Sequence, residues 1–275
     1  MDKPKHRSKI RIIISHAFFT VKKVAYWYLS NTKFAKQERR DDLTVEIFKH
    51  NTPLLRRLAG LDMQLQYNKI TNLQIAINKL DKIVIQPGET LSYWRAIGNP
   101  TKSKGYLEGM VLSNGKVKRG TGGGLCQLSN LIFWITLHTP LTVTERWRHS
   151  YDVFPDANRT QPFGSGATCA YPNIDLQITN KTQTPFQLNL NIDNSNLIGS
   201  WSASSTLDRE YKITEQDHEM KNEWWGGYTR HNKLVKQTID KNSNDIISEE
   251  VVIENHAIMM YDPLIECEDE NHTNI

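Results

Sequence analysis

Thirteen consecutive residues in the middle of the chain, Cys126 to His138, contain no charged side chain before the terminal histidine. Leu128, Leu131, Ile132, Phe133, Trp134, Ile135 and Leu137 leave a helix over this stretch almost without a polar face. A helix that is apolar all round must be buried, so the rest of the chain has to supply its cover. Pro140 stops the helix, because proline lacks the N–H that a further turn requires. The 275 residues are enough to enclose such a centre with a sizeable core.

The surrounding segments alternate in type. Residues 1–65 read as helical: Ile10, Ile13, Ile14, Ala17, Phe18, Val21, Val24, Ala25 and Tyr28 recur at helical spacing. A second helix is expected over residues 43–61, started or kinked by Pro53. Leu73 to Leu80 fits a strand or a short helix, and residues 82–86 a short strand ended by the turn pair Pro87-Gly88. Residues 95–124 are glycine-rich, with a hairpin expected at Asn114-Gly115. Residues 141–149 alternate as a strand, and Leu141, Val143, Trp147 and His149 share parity, which aims His149 at the central helix.

Beyond residue 166 the pattern is mostly β, over 167–171, 174–179, 186–192 and 196–201, with further hairpins at 210–214, 234–239 and 246–253. The tail from Glu249 carries eight acidic residues and no lysine or arginine, and reads as solvated. The fold class is therefore α+β: an N-terminal helical layer, and a central buried helix at about 126–138 packed on a mostly antiparallel β-sheet. The expected organisation is a basic helical segment over 1–65, a core over 66–205 and a β-rich extension over 206–275. No internal repeat or low-complexity linker divides it.

Charge is unevenly spread. Residues 1–40 hold eleven lysines and arginines against two acids, while the remainder holds 23 against 28. A basic arm on a mildly acidic body excludes a uniformly basic nucleic-acid binder. The apolar stretch Ile10 to Leu29 is interrupted by Arg11, Ser15, His16, Lys22 and Lys23, too charged for a transmembrane span and without a small-residue cleavage site. The expected location is the cytoplasm. The stripe has two readings: it packs on its own domain, the simpler one, or it makes a peripheral contact with an anionic membrane face through residues 9–29.

Candidate chemistry concentrates at Gly122-Gly123-Gly124-Leu125-Cys126-Gln127. Glycines permit positive φ and close backbone approach. A cysteine on the first turn of a buried helix meets the positive end of the helix dipole and unsatisfied N–H groups, which favour a thiolate. The same N–H groups, with the Gln127 side chain, could form an oxyanion site. His149 is placed to act as general base, and Asp175 or Asp152 to orient it. Cysteine on a helix followed by histidine on a strand is the element order of papain-like and transglutaminase-like enzymes. The competing reading is a small buried thiol beside a tight turn.

Other candidates read as structural: His138 as a partner of the helix dipole, Cys169 as core, and Trp224-Trp225 as edge packing beside Gly226-Gly227. The three cysteines, Cys126, Cys169 and Cys267, are widely spaced, and the histidines lack ligand spacing. No metal site and no cofactor are expected. Gly120–Gly124 lacks the Lys-Ser/Thr of a phosphate-binding loop.

Several words of the sequence resemble the VanW family, which is associated with the vancomycin B-type resistance cluster. They are Gln86-Pro-Gly-Glu-Thr-Leu-Ser-Tyr-Trp94, Gly122-Gly-Gly-Leu-Cys-Gln-Leu-Ser129, Leu141-Thr-Val-Thr-Glu-Arg146, His149-Ser-Tyr151, Ala167-Thr168 and Ile174-Asp-Leu176. The resemblance spans roughly residues 60–195. It implies a part in glycopeptide resistance and cell-wall biology, with no defined reaction. One position departs from the family pattern: Gly166 stands where an acidic residue usually precedes the Ala-Thr pair. Two functional classes follow. One is a cysteine-dependent amide, peptide or ester hydrolase or transferase acting on a cell-wall precursor or protein. The other is a non-catalytic binding or scaffold module.

Overall fold

The computed structural model describes residues 8–36, 42–55, 62–113, 116–148, 151–153 and 161–263. In chain order the elements are α1 (Lys9–Leu29), β1 (Val45–Pro53), α2 (Met63–Leu80), β2 (Val84–Ile85), β3 (Thr90–Ser92), the short α3 (Tyr93–Ile97), β4 (Glu108–Ser113), β5 (Lys116–Thr121) and α4 (Leu125–Leu137). They continue with β6 (Thr142–Glu145), β7 (Tyr151–Asp152), β8 (Gln177–Thr179), β9 (Phe186–Ile192), β10 (Asn196–Ala203), β11 (Arg209–Asn222), β12 (Tyr228–Asp240) and β13 (Ile246–Met259).

The fold is α+β with mostly antiparallel sheets, as the sequence pattern requires. One sheet runs β1-β10-β9-β2, a second β11-β12-β13-β7 and a third β3-β8-β6, with β4 and β5 pairing as a hairpin. The β13–β7 pairing is parallel. α4 lies against the first sheet, and nearly all of its side chains from Leu128 to Leu137 are buried. Gly199 on β10 makes that approach possible, since a Cβ there would lie 3.1 Å from Leu131 Cδ2 and 3.3 Å from Ile135 Cδ1. Across the same interface Trp201 Nε1 donates to Thr136 Oγ1 at 3.0 Å, satisfying two polar groups in an otherwise apolar layer.

Residues 43–55 differ from the helical expectation, and 56–61 lie outside the described residues. Residues 45–53 form strand β1, which pairs antiparallel with β10 from Val45↔Ala203 to Pro53↔Asn196. A bulge between Glu46 and Phe48 shifts the side-chain parity, so Val45, Ile47 and Phe48 do not alternate as a regular strand would. Pro53 ends the strand, where a missing N–H is tolerated. Leu73 to Leu80 is the second half of α2, whose Asp62 cap accepts from Gln64 N at 2.9 Å. The stretch from Glu249 is also more ordered than expected up to Met259, because it forms β13 along β12. The Asn114-Gly115 turn and Cys267 lie outside the described residues.

Two apolar features face outward. Trp224, at the tip of the β11–β12 hairpin, is 92% exposed, so the Trp224-Trp225 pair does not pack against an edge. On α1 most of the expected stripe points to solvent rather than into the domain: Ile13 is 68% exposed and Phe18 62%, while Val24 packs against the core. The helix docks by its opposite side, where Trp27 is buried within 6.2 Å of the Tyr171 ring. The simpler of the two readings of the stripe thus fails for most of its residues and holds at Val24.

Candidate functional site

The glycine run is shaped by close packing. Gly123 lies against Gly109 of β4, where a Cβ on Gly123 would sit 2.1 Å from the Gly109 carbonyl carbon. Gly122 and Gly124 take positive φ, 75° and 94°, and a Cβ on Gly124 would fall 2.1 Å from Lys69 Cγ. Asn72 of α2, fully buried, donates to the carbonyls of Leu107 and Gly123 and accepts from Leu107 N. The loop's own amides are committed internally: Gly122 N donates to Leu107 O, Gly123 N to Gly120 O and Gly124 N to Met110 O. The glycines fold the chain sharply back beside β4 and deliver it into the first turn of α4.

Gly124 caps α4, so Cys126 stands on its first turn, half-buried. Its thiol donates to the Cys169 carbonyl oxygen at 3.5 Å, and its Sγ accepts from the Cys169 thiol at 3.6 Å. Burial pushes the Cys169 thiol well above its usual range, and its hydrogen bond to Cys126 adds to the effect. Cys169 therefore stays protonated as a donor toward Cys126. The segment carrying it is tied to α4 one turn further on, through Ser129 Oγ to Ala167 O at 2.6 Å and Asn130 Oδ1 accepting from Ala167 N at 2.8 Å. Tyr93, fully buried, donates to Leu125 O at 2.9 Å, and burial pushes its hydroxyl well up.

The other expected site residues are placed as follows. His149 lies outside the described residues. Asp152 is buried on β7, accepting from Tyr261 Oη at 2.8 Å with Arg230 at 3.5 Å. Asp175 is fully buried and accepts from Ser92 Oγ at 2.6 Å, Trp94 N at 2.9 Å and Leu176 N at 3.0 Å. Burial pushes the Asp175 carboxyl up, opposed by those hydrogen bonds and by Lys23 at 3.6 Å. The Gln127 amide donates to Thr52 Oγ1 at 3.0 Å and to Pro53 O at 2.8 Å, joining α4 to β1.

Gly166 acquires a physical reason. A Cβ there would lie 2.7 Å from Asn130 Oδ1, and its carbonyl accepts from Arg146 Nε at 3.0 Å. His138 is no cationic partner of the helix dipole. It stacks on Phe48 at 3.9 Å, with Nδ1 2.9 Å from Tyr211 O, and burial lowers its pKa to about 4.

Two groupings were invisible in the sequence. Cys169 meets Cys126 across 43 positions, a separation that carries no spacing signal. Lys23 of α1, its side chain 12% exposed, bridges Glu145 at 2.5 Å as well as Asp175. Gln177 completes the cluster with a 2.9 Å bond to Glu145, so α1 is fastened by charge to Glu145 of β6 and to Asp175 just before β8. Among the described residues, no group of three or more His, Cys, Asp or Glu is placed to hold a metal ion.

The fold and site define an α+β protein in which a glycine-delivered thiol opens a buried helix beside a second, protonated thiol. The family model described as "VanW like protein" matches residues 68–202, a span from α2 to β10 that contains both thiols. Over 228 residues the chain is 34% identical to "Vancomycin B-type resistance protein VanW" of Enterococcus faecalis (strain ATCC 700802 / V583), covering 83% of this chain and 80% of that protein. It is 28% identical over 114 residues to "Uncharacterized protein YoaR" of Bacillus subtilis (strain 168), covering 42% of this chain and 36% of that one. No solved structure matches. The chain belongs to the VanW family.

Proposed function

We propose that this protein acts in glycopeptide resistance by cysteine-dependent attack on an amide, peptide or ester bond of a cell-wall precursor or protein. The resistance context comes from the name of the enterococcal relative. The chemistry is carried by one observation: Cys126 is a half-buried thiol on the first turn of α4 that accepts a hydrogen bond from the Cys169 thiol. First-turn amides and a neighbouring S–H both favour negative charge on the Cys126 sulfur, against the Cys169 carbonyl oxygen to which its own S–H donates.

In this reading the Cys126 thiolate attacks the carbonyl carbon. The oxyanion forms at the N-terminal end of α4, where the helix dipole favours negative charge. His149 takes the thiol proton and returns it to the departing amine or alcohol, leaving a thioester on Cys126. Water or a second nucleophile then releases the acyl group. Asp175 and Gln127 serve as positioning residues: Asp175 fixes the β3–α3 junction that holds Tyr93 on Leu125, and Gln127 ties the start of α4 to β1.

The second reading is a non-catalytic module, favoured by the internal commitment of the Gly122, Gly123 and Gly124 amides. The two separate on Cys126→Ser. Incubation with cell-wall peptide fragments, followed by mass spectrometry, is expected to show a thioester on Cys126 and released product with the natural chain, and neither with the variant. Equal product release by a folded Cys126→Ser protein overturns the catalytic reading.

A further inference from the structure

We propose that α1 is a docking element for an anionic lipid surface, lying in the headgroup layer with its apolar stripe inserted and a basic groove at its C-terminal end receiving lipid phosphate. At 100° per residue, Ile10, Ile13, Ile14, Phe18, Val21 and Leu29 fall on one side of the helix, and every one of them is at least half exposed. The opposite side carries Lys23 and Trp27, which fasten the helix to the body. The outward direction of the stripe is thus fixed by a buried ion-pair cluster and an aromatic contact.

Helix α1 is not a crossing segment, because no helix of the described residues is long and apolar enough to span a membrane. It has instead the composition of an interfacial helix: an apolar face bordered by cations. Arg11 and Lys22 are exposed beside the stripe, and Lys33 and Lys36 are exposed just after the helix. Residues 3–37 contain no aspartate or glutamate. Lys23 is already paired, so the cations available to a lipid surface are those at the stripe's border and beyond its end.

The groove supplies the second half. It has a volume of about 400 Å³ and is lined by Trp27, Tyr28, Lys33, Lys36 and Arg95, with Glu89 as its one carboxylate. Tyr28 belongs to both features: it is 71% exposed at the end of the stripe, and its ring lies 5.5 Å from the Arg95 guanidinium. Arg95 also stacks on Phe34 at 4.8 Å, and its buried Nε has no hydrogen-bond partner. A guanidinium within cation–π reach of two rings, in a groove shared with two lysines, matches a phosphate monoanion. Charge complementarity selects the occupant. A second copy of the chain, stripe to stripe, would bring these unbalanced cations together, whereas an anionic bilayer accepts the apolar face and the charge at once.

The test is vesicle co-sedimentation of the whole chain with phosphatidylcholine vesicles, with and without phosphatidylglycerol. Binding is expected to the anionic vesicles, to weaken with salt, and to fall at least about tenfold in Ile13→Ser/Phe18→Ser. That double variant should keep its unfolding temperature, since neither side chain is packed. Arg95→Gln should lose affinity for anionic vesicles without losing what remains on neutral ones. Undiminished binding by the folded double variant overturns the proposal. So does absence of binding to anionic vesicles, with free inorganic phosphate still protecting Arg95 as the sign of a soluble-anion site. A dimer in sedimentation equilibrium that the double variant abolishes, without vesicle binding, assigns the stripe to a second copy.

Discussion

Two helices rich in large apolar residues meet opposite fates in this protein. In α4 almost every side chain is buried, while in α1 Trp27 is the one fully buried apolar residue among those described. The difference follows from what each carries besides its apolar residues. α4 has no charged residue between Leu125 and Leu137, so nothing in it resists burial. α1 has Arg11, Lys22 and Lys23 on its flanks, and one of these, Lys23, is the anchor that turns the stripe outward. An amphipathic stripe by itself does not say which side faces the protein. Here a paired lysine and a buried tryptophan on the other side decide it.

The comparison breaks first at the entry to α4. Gly123→Val would drive a side chain into the Gly109 backbone, neither part of which is a flexible tip. The expected loss is more than about 4 kcal/mol, enough to prevent folding, measured by urea denaturation. A stable Gly123→Val protein would show that the loop is not held against β4.

His138, just past the end of α4, gives the next effect. Its pKa in the folded protein is about 4, below the ordinary 6.5, so the unfolded chain binds the extra proton as pH falls. Stability is therefore whole above about pH 6.5 and declines toward pH 4, by about 3 kcal/mol from this residue. His138→Gln should flatten that decline while keeping a donor toward Tyr211 O. An unchanged pH profile would mean that the ring is solvated. The smallest effect belongs to α1: Phe18→Ser should alter stability by less than about 0.5 kcal/mol, seen as an unshifted unfolding transition. A large loss would place the stripe against protein after all.

Much of the fold was legible where periodicity is clean. β9 occupies the expected residues, and α4 follows from its unbroken apolar run. β1 was not legible because its bulge breaks the alternation that marks a strand. Within the site, Cys126 could be singled out because glycines and a helix start lie beside it in sequence. Cys169, Tyr93 and Lys23 could not, since their contacts with Cys126, Leu125 and Asp175 join distant segments. The Gly166 departure looked like a missing acid. In space it is a position where a side chain would displace the Asn130 amide that holds Ala167 N.

The proposed chemistry requires Cys126 to be reactive on the first turn of α4 and its neighbour Cys169 to be kept inert by burial. Alkylation of the native chain by iodoacetamide, with each cysteine followed by mass spectrometry, tests it without knowledge of the substrate. Cys126 is expected to be labelled much faster than Cys169, and unfolding in urea to erase the difference. Equal rates in the native protein, or a Cys126 that resists labelling until the chain unfolds, would contradict it.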